Sequence, residues 1–142
     1  TIYNDHRELM RFKTLTLNQW LDGRHQNKED EYWVLGEKSI CLNLFANLLK
    51  NAVEAAPNNS SLTVFIENRS ETAIIKIHNF GAVPEDIREK FFHKYSTSGK
   101  KQGLGLGTYA AYLMANAQNG TISMETSERE GTTITVELPK PK

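Results

Sequence analysis

Gly103-Leu104-Gly105-Leu106-Gly107, running directly into Thr108-Tyr109-Ala110-Ala111-Tyr112-Leu113-Met114-Ala115-Asn116-Ala117, is the stretch on which the fold turns. Glycine lacks a Cβ, so its backbone N–H groups can come close to a ligand. Three glycines at alternate positions form a strip of such donors. The Ala-, Leu-, Met- and Tyr-rich run behind them reads as a helix. Its free N-terminal N–H groups and its dipole favour an anion at that point. Taken alone, a GxGxG also fits a loop that merely packs tightly. Spacing excludes two other phosphate motifs. A P-loop needs a glycine five residues before Gly-Lys-Ser/Thr, but Gly99-Lys100 is followed by Lys101 and position 94 is Lys94. A dinucleotide fingerprint needs GxGxxG after a strand, and these glycines follow the polar run 96–102.

Upstream, residues 37–56 read as one long helix. At 100° per residue Leu44, Phe45, Leu48, Leu49 and Ala52 share a broad apolar face. Asn47, Asn51 and Glu54 fall on the opposite flank at i, i+4 and i+7. Such a flank can be a solvated polar face. It can also be a metal–phosphate site, because Mg²⁺ prefers hard oxygens and takes one or two protein ligands beside substrate phosphates. An asparagine Oδ1 suits that role and adds no negative charge next to phosphate. Farther on, Asn79-Phe80-Gly81 closes a strand. A carboxamide there can accept from an exocyclic amine and donate to a ring nitrogen, although Asn and Gly are also routine in Asx turns.

The remaining elements frame these three. Residues 12–17 read as a strand and 17–23 as a short helix, with a polar loop at 25–31 and a short strand at 32–35. Residues 61–67 and 72–78 form strands joined by Asn68-Arg69-Ser70-Glu71. A helix is predicted over 84–92, with Pro84 in its first turn and Glu85 and Asp86 behind it. Asn119-Gly120 stops the helix that begins at Thr108. Residues 121–127 and 132–138 alternate as a hairpin. The sum is an α+β fold: a two-layer sandwich with a mixed β-sheet covered on one face by about three helices.

One domain is expected over residues 1–142, with N-terminal strands in 1–34 and a motif-bearing core at 35–138. Seventeen basic and seventeen acidic residues balance, which argues against nucleic acid or an acidic membrane as partner. Cys41 is the only cysteine and reads as a small core residue in a reducing compartment. No run approaches the roughly 18 apolar residues of a spanning helix, and no signal peptide is visible. The start at Thr1, without Met, fits a fragment of a longer protein.

Together the motifs resemble the nucleotide-binding domain of sensor histidine kinases, within the ATPase superfamily shared with DNA gyrase, MutL and the heat-shock chaperones. Asn47-Leu48-Leu49-Lys50-Asn51-Ala52-Val53-Glu54-Ala55 looks like the N box, and Asn79-Phe80-Gly81 sits where an Asp-x-Gly box would be. Phe91-Phe92-His93-Lys94-Tyr95-Ser96-Thr97 looks like the F box and the start of the ATP lid. The 103–107 glycines look like the second glycine box, and Gly131-Thr132 through Pro139 is similar to the closing hairpin. The resemblance implies a Bergerat-type fold with ATP and Mg²⁺ as ligands. It implies Asn51 as the Mg²⁺ ligand and Asn47 on phosphate or a metal-bound water. Asn79 and Gly81 would meet the adenine, supported by Thr132. Gly103, Gly105 and Gly107 would line the phosphates, with Leu104 and Leu106 pinning the loop. Lys94, Tyr95, Thr97, Ser98, Lys100 and Lys101 would supply lid contacts, and the lid would be mobile without nucleotide.

The implied activity is transfer of the γ-phosphate to a histidine on a separate dimerisation and phosphoacceptor domain, with a response-regulator receiver as indirect partner. Neither nucleic acid nor direct membrane contact is expected. The domain would lie in the cytoplasm even if its parent is membrane-anchored. None of His6, His25, His78 or His93 stands in a His-Glu/Asp-x-x-x-Pro setting, so no phosphoacceptor is expected in this chain. No acid, base or nucleophile is expected either, only positioning. Two departures matter. Asn79 replaces the aspartate, which weakens the acceptor or its adenine selectivity because charged acceptors bond more strongly. Val83 replaces a second glycine. Two alternatives stay open: a degenerate nucleotide-sensing or scaffolding module, and a stand-alone serine kinase of the anti-sigma-factor type.

Overall fold

The computed structural model describes residues 13, 15–21, 24–26, 38–93 and 106–139. Among the described residues six strands form one sheet: β1 (Thr16–Leu21), β2 (Arg24–Gln26), β3 (Ser61–Asn68), β4 (Thr72–Asn79), β5 (Thr121–Ser127) and β6 (Gly131–Pro139). Their spatial order is β2-β1-β3-β4-β6-β5. Every neighbouring pair is antiparallel except β1 and β3. Parallel neighbours need a crossover, and that crossover carries helix α1 (Lys38–Ala55). Helix α2 (Leu106–Ala117) packs beside α1 and over β5 and β6. A 3-10 turn, Glu85–Lys90, joins the same layer through buried Ile87.

The core lies between this layer and the sheet. Leu44, Phe45, Leu48, Leu49 and Ala52 on α1 are buried, which is the apolar stripe its spacing predicts, and Val53 is buried beside them. Facing them, the register aligns Val64, Ile77, Ile134 and Met124 across four strands, and Ile66, Ile75, Val136 and Ile122 beside them. Alternate positions such as Phe65, Lys76 and Glu125 lie on the uncovered face and are exposed. Period-two alternation of this kind is what a sheet covered on one side requires.

Three N-terminal expectations are corrected. Of the stretch read as a short helix at 17–23, residues 17–21 belong to strand β1, and residue 13, within the stretch read as a strand at 12–17, is helical. The spacing of Leu17, Trp20 and Leu21 mimics a helix turn, yet Leu15 and Leu17 pack on the core with period two, and pairing with β3 decides the conformation. His25 and Gln26, read as loop, belong to β2. The predicted helix at 84–92 is a 3-10 turn with Pro84 just before it. The strand read at 32–35 lies outside the described residues.

Lys13 closes the far end of α1. The last turn of that helix contains no basic residue of its own. Instead the Lys13 ammonium donates to the carbonyls of Val53 at 3.0 Å, Glu54 at 2.7 Å and Ala56 at 3.0 Å. A cation at a helix C-terminus meets both the orphan carbonyls and the dipole. Two backbone bonds, Asn59 N–H to Lys13 O and Thr16 N–H to Ser60 O, fasten this segment to the turn that enters β3.

Helix α2 ends as its sequence predicts. Asn119 takes a φ of 60°, and the Gly120 N–H returns to the Ala115 carbonyl at 2.9 Å. This is the left-handed cap that Asn-Gly supports.

Candidate nucleotide site

Where the covered face of the sheet runs out, its side chains change character. The next rung after Val64-Ile77-Ile134-Met124 reads Leu62, Asn79, Thr132, Thr126 across β3, β4, β6 and β5. Three of its four members are polar, and Asn79 and Thr132 are buried, at 2% and 3% exposure. The sequence separates Asn79 from Thr132 by more than fifty positions, and the sheet places them opposite one another.

The hydroxyls on this rung form an ordered relay. Val83 N–H donates to Thr126 Oγ1 at 2.9 Å. The two threonine oxygens are 2.8 Å apart, and Thr132 Oγ1 donates to the Gly81 carbonyl at 2.6 Å. A carbonyl only accepts, so the Thr132 proton is committed there and Thr126 donates the shared bond. The relay fixes the turn after β4, including Gly81. Val83, standing where a glycine was expected, joins the core cluster with its side chain and holds the turn with its amide. Arg88 reinforces it from the 3-10 turn, Nε donating to Val83 O at 2.8 Å.

Asn79 stands apart from the relay. Its Nδ2 is buried and has no hydrogen-bond partner among the described residues. An unmet buried donor costs about 1–3 kcal/mol, and a bound group with an acceptor there would remove that cost. Gly81 shapes the space beside it. A Cβ there would fall 2.7 Å from the Ala55 carbonyl oxygen and 3.3 Å from Asn79 Nδ2. Any larger residue would push the turn off the end of α1.

That contact also locates the helix asparagines. Ala55 touches the turn at Gly81, so Asn51 and Asn47 lie one and two turns back along α1, roughly 6 and 12 Å of helix rise. Both are half-buried, flanking rather than opposing the apolar stripe. Such a progression can seat an extended ligand along this flank of α1.

At the start of α2, nothing among the described residues comes within 4 Å of where a Gly107 Cβ would be. Packing against those residues does not require glycine there. Thr108 is buried and donates its hydroxyl to the Phe91 carbonyl at 2.9 Å, which ties α2 to the F-box segment. Phe91 and Phe92 meet edge to face, and Phe92 stacks on Tyr112. Lys94, Tyr95, Thr97, Ser98, Lys100, Lys101, Gly103, Leu104 and Gly105, with the whole lid expectation, lie outside the described residues, as does the Leu106 side chain.

A separate cavity of about 460 Å³ opens between the 3-10 turn, α2 and β5, lined among others by Arg88, Phe92, Tyr109 and Met124. It contains none of the residues the sequence picked out for nucleotide, and its chemistry is that of an aromatic surface cleft. His78 serves the structure. Its Nε2 lies 2.7 Å from the Glu130 carbonyl, so that nitrogen carries the proton, and its ring meets Phe80 edge-on.

Sequence reasoning missed Thr126, Lys13 and the Ala55 carbonyl. Thr126 could have been found by counting back from Gly131 across the hairpin. Lys13 and Ala55 act through contacts that no local pattern encodes.

A mixed sheet with its helices on one face, the last strand inserted beside the strand bearing Asn79-Phe80-Gly81, is the Bergerat-type arrangement. The profile of the histidine kinase-, DNA gyrase B- and HSP90-like ATPases matches residues 37–142, and the chain belongs to that family, as a catalytic ATPase domain of the sensor histidine kinase kind. Sporulation kinase A of Bacillus subtilis is 24% identical over 118 residues, covering 82% of this chain and 19% of that protein. The signal transduction histidine-protein kinase BaeS of Escherichia coli K12 is 31% identical over 116 residues, covering 78% of this chain and 25% of that protein. The chain thus spans about a fifth to a quarter of the length of these curated relatives. Among solved structures, the catalytic domain of histidine kinase ThkA superposes with a TM-score of 0.78 at 23% identity, over 98% of this chain and 88% of that one. Full-length ShkA in complex with AMPPNP gives a TM-score of 0.76 at 14% identity, over 97% of this chain and 28% of that one. These likenesses show the fold. The family binds ATP. Among the described residues no helix is long and apolar enough to cross a membrane.

Proposed function

We propose that this domain binds Mg·ATP and donates the γ-phosphate to a histidine on a separate dimerisation and phosphoacceptor domain, in two-component signalling. The observation that carries the reading is the polar rung Asn79-Thr132-Thr126, which ends an apolar face and leaves one buried amide unpartnered. The residues fit a nucleotide. The orphan amide suits the hydrogen-bonding edge of a base, and Gly107 keeps the N-terminus of α2 clear for phosphate. The kinase names of the relatives support the reaction.

In this reading Asn79 and Gly81 receive the base, while Thr132 and Thr126 hold their geometry. Asn51 offers a neutral oxygen to the metal, and Asn47 orients a phosphate oxygen or a metal-bound water. Bound Mg²⁺ would neutralise phosphate charge, the main requirement of phosphoryl transfer. Asn47 has no titratable group, so the chain positions reactants and does not activate water. The dimerisation domain, and through it a receiver domain, are the partners this chemistry needs.

Calorimetric titration with a non-hydrolysable ATP analogue, with and without Mg²⁺, tests the site. Magnesium-dependent binding in the micromolar to sub-millimolar range is expected, followed by phosphorylation of a separately supplied phosphoacceptor domain from ATP. Absence of magnesium-dependent binding overturns the proposal. Asn79 in place of an aspartate favours a second reading, a nucleotide-sensing module that binds without transfer. Binding with no phosphate on the acceptor would select it.

A further inference from the structure

We infer that Asn79 relaxes the choice of base, so that this site takes 6-oxopurine triphosphates alongside ATP. The inference rests on the nucleotide-site reading above. It starts from the difference between a carboxylate and a carboxamide. An ionised aspartate only accepts hydrogen bonds, whereas an asparagine both donates and accepts. Adenine presents an amine at its 6-position, a donor. Guanine and hypoxanthine present a carbonyl there, an acceptor, beside a ring N–H. At the 6-position an aspartate therefore matches the amine and repels the carbonyl, and a carboxamide can match either.

The surroundings leave the carboxamide free to choose. Its Nδ2 has no hydrogen-bond partner among the described residues. Its neighbour across the ladder, Thr132, has its proton committed to Gly81 O, and Thr126 spends its own on Thr132. Neither hydroxyl therefore locks the amide into one orientation. The missing side chain at Gly81 leaves the amide's flank uncrowded, since a Cβ there would stand 3.3 Å from Nδ2. A half-turn about the last side-chain torsion exchanges the amide's donor and acceptor, and no protein hydrogen bond to Nδ2 opposes it. Burial at 2% exposure keeps bulk water from compensating a mismatch, so the identity of this side chain is felt in affinity.

The test is calorimetry on the 142-residue chain with Mg²⁺ and the β,γ-imido analogues of ATP, GTP and UTP. Dissociation constants for the ATP and GTP analogues within about tenfold of each other are expected, the worth of roughly one hydrogen bond, with the UTP analogue much weaker. Asn79→Asp is expected to shift the ratio toward ATP by about tenfold or more. Where that variant does not fold, purine riboside triphosphate replaces it. Lacking any 6-substituent, this ligand should bind the unaltered chain more weakly than either ATP or GTP. An ATP analogue more than about a hundredfold tighter than its GTP counterpart overturns the inference. So does an unchanged ratio in Asn79→Asp, purine riboside triphosphate binding as tightly as ATP, or a UTP analogue binding as well as both. The first of these leaves the ATP site standing. Failure of every nucleotide to bind removes the site reading as well.

Discussion

Replacing Thr132 by valine should cost this domain about 2 kcal/mol. The substitution exchanges a hydroxyl for a methyl of similar size, so no cavity opens at a side chain that is 3% exposed. Two hydrogen bonds disappear, the 2.6 Å donation to Gly81 O and the 2.8 Å bond from Thr126. Each contributes about 1 kcal/mol net, and the stranded Gly81 carbonyl carries its own desolvation penalty. Partly exposed Thr126 can turn its freed proton to water, which keeps the total nearer about 2 than about 4 kcal/mol. For a chain of 142 residues that is a loss of roughly 6 °C in Tm, at about 3 °C per kcal/mol. Urea and thermal denaturation of the wild type, Thr132→Val, Thr126→Val and the double variant give the measurement. Because the two hydroxyls share a bond, the double variant should lose about 0.5–1 kcal/mol less than the sum of the singles. Strict additivity, or a Thr132→Val variant within about 0.3 kcal/mol of wild type, would refute the relay.

Gly107→Ala separates packing from ligand binding. It should raise stability by up to about 1 kcal/mol, since Ala favours a helix and nothing obstructs its Cβ, while weakening Mg·ATP-analogue binding about tenfold or more. Unchanged affinity would move the phosphates away from the start of α2. Gly131→Ala should cost at least about 2 kcal/mol by chemical denaturation, because the residue sits at φ 87° and a Cβ would overlap the Asn79 carbonyl. A near-neutral result would count against that turn geometry. Lys13→Met retains the aliphatic stem and removes the ammonium. It should cost about 1.5–3 kcal/mol and raise amide exchange in the last turn of α1, and exchange rates equal to wild type would dismiss Lys13 as the cap.

Most of the architecture was legible where one interaction dominates. The stripe from Leu44 to Ala52 predicts α1 because its spacing and burial agree, and the β5–β6 hairpin follows from clean alternation and Gly131. The segment at 17–23 misled because Leu17, Trp20 and Leu21 satisfy a helix period over one turn. Only the neighbouring strand β3, far along the chain, settles it. The short run at 85–90 is too brief for local spacing to separate a 3-10 turn from an α-helix. At the site, Asn79, Gly81 and Thr132 could each be named from the chain. The pairing of Asn79 with Thr132 on one rung, the Thr132 bond to Gly81 in the turn beyond it, and the amide left without a partner among the described residues are properties of register and burial that exist only once the sheet has formed.

Strand β6 is the last of the six to be synthesised, yet it lies between β4 and β5. Until it emerges from the ribosome, β4 is an open edge displaying Ile74, Ile75 and Ile77, with half of its backbone donors and acceptors unmet. Some fifty residues of translation separate the two strands, on the order of 3–10 s at ordinary elongation rates. During that interval the nascent domain offers a strand-pairing template to any neighbour, and its polysomes are where chaperone demand and insolubility should concentrate. A premature stop ahead of Gly131 would leave this edge permanently uncovered.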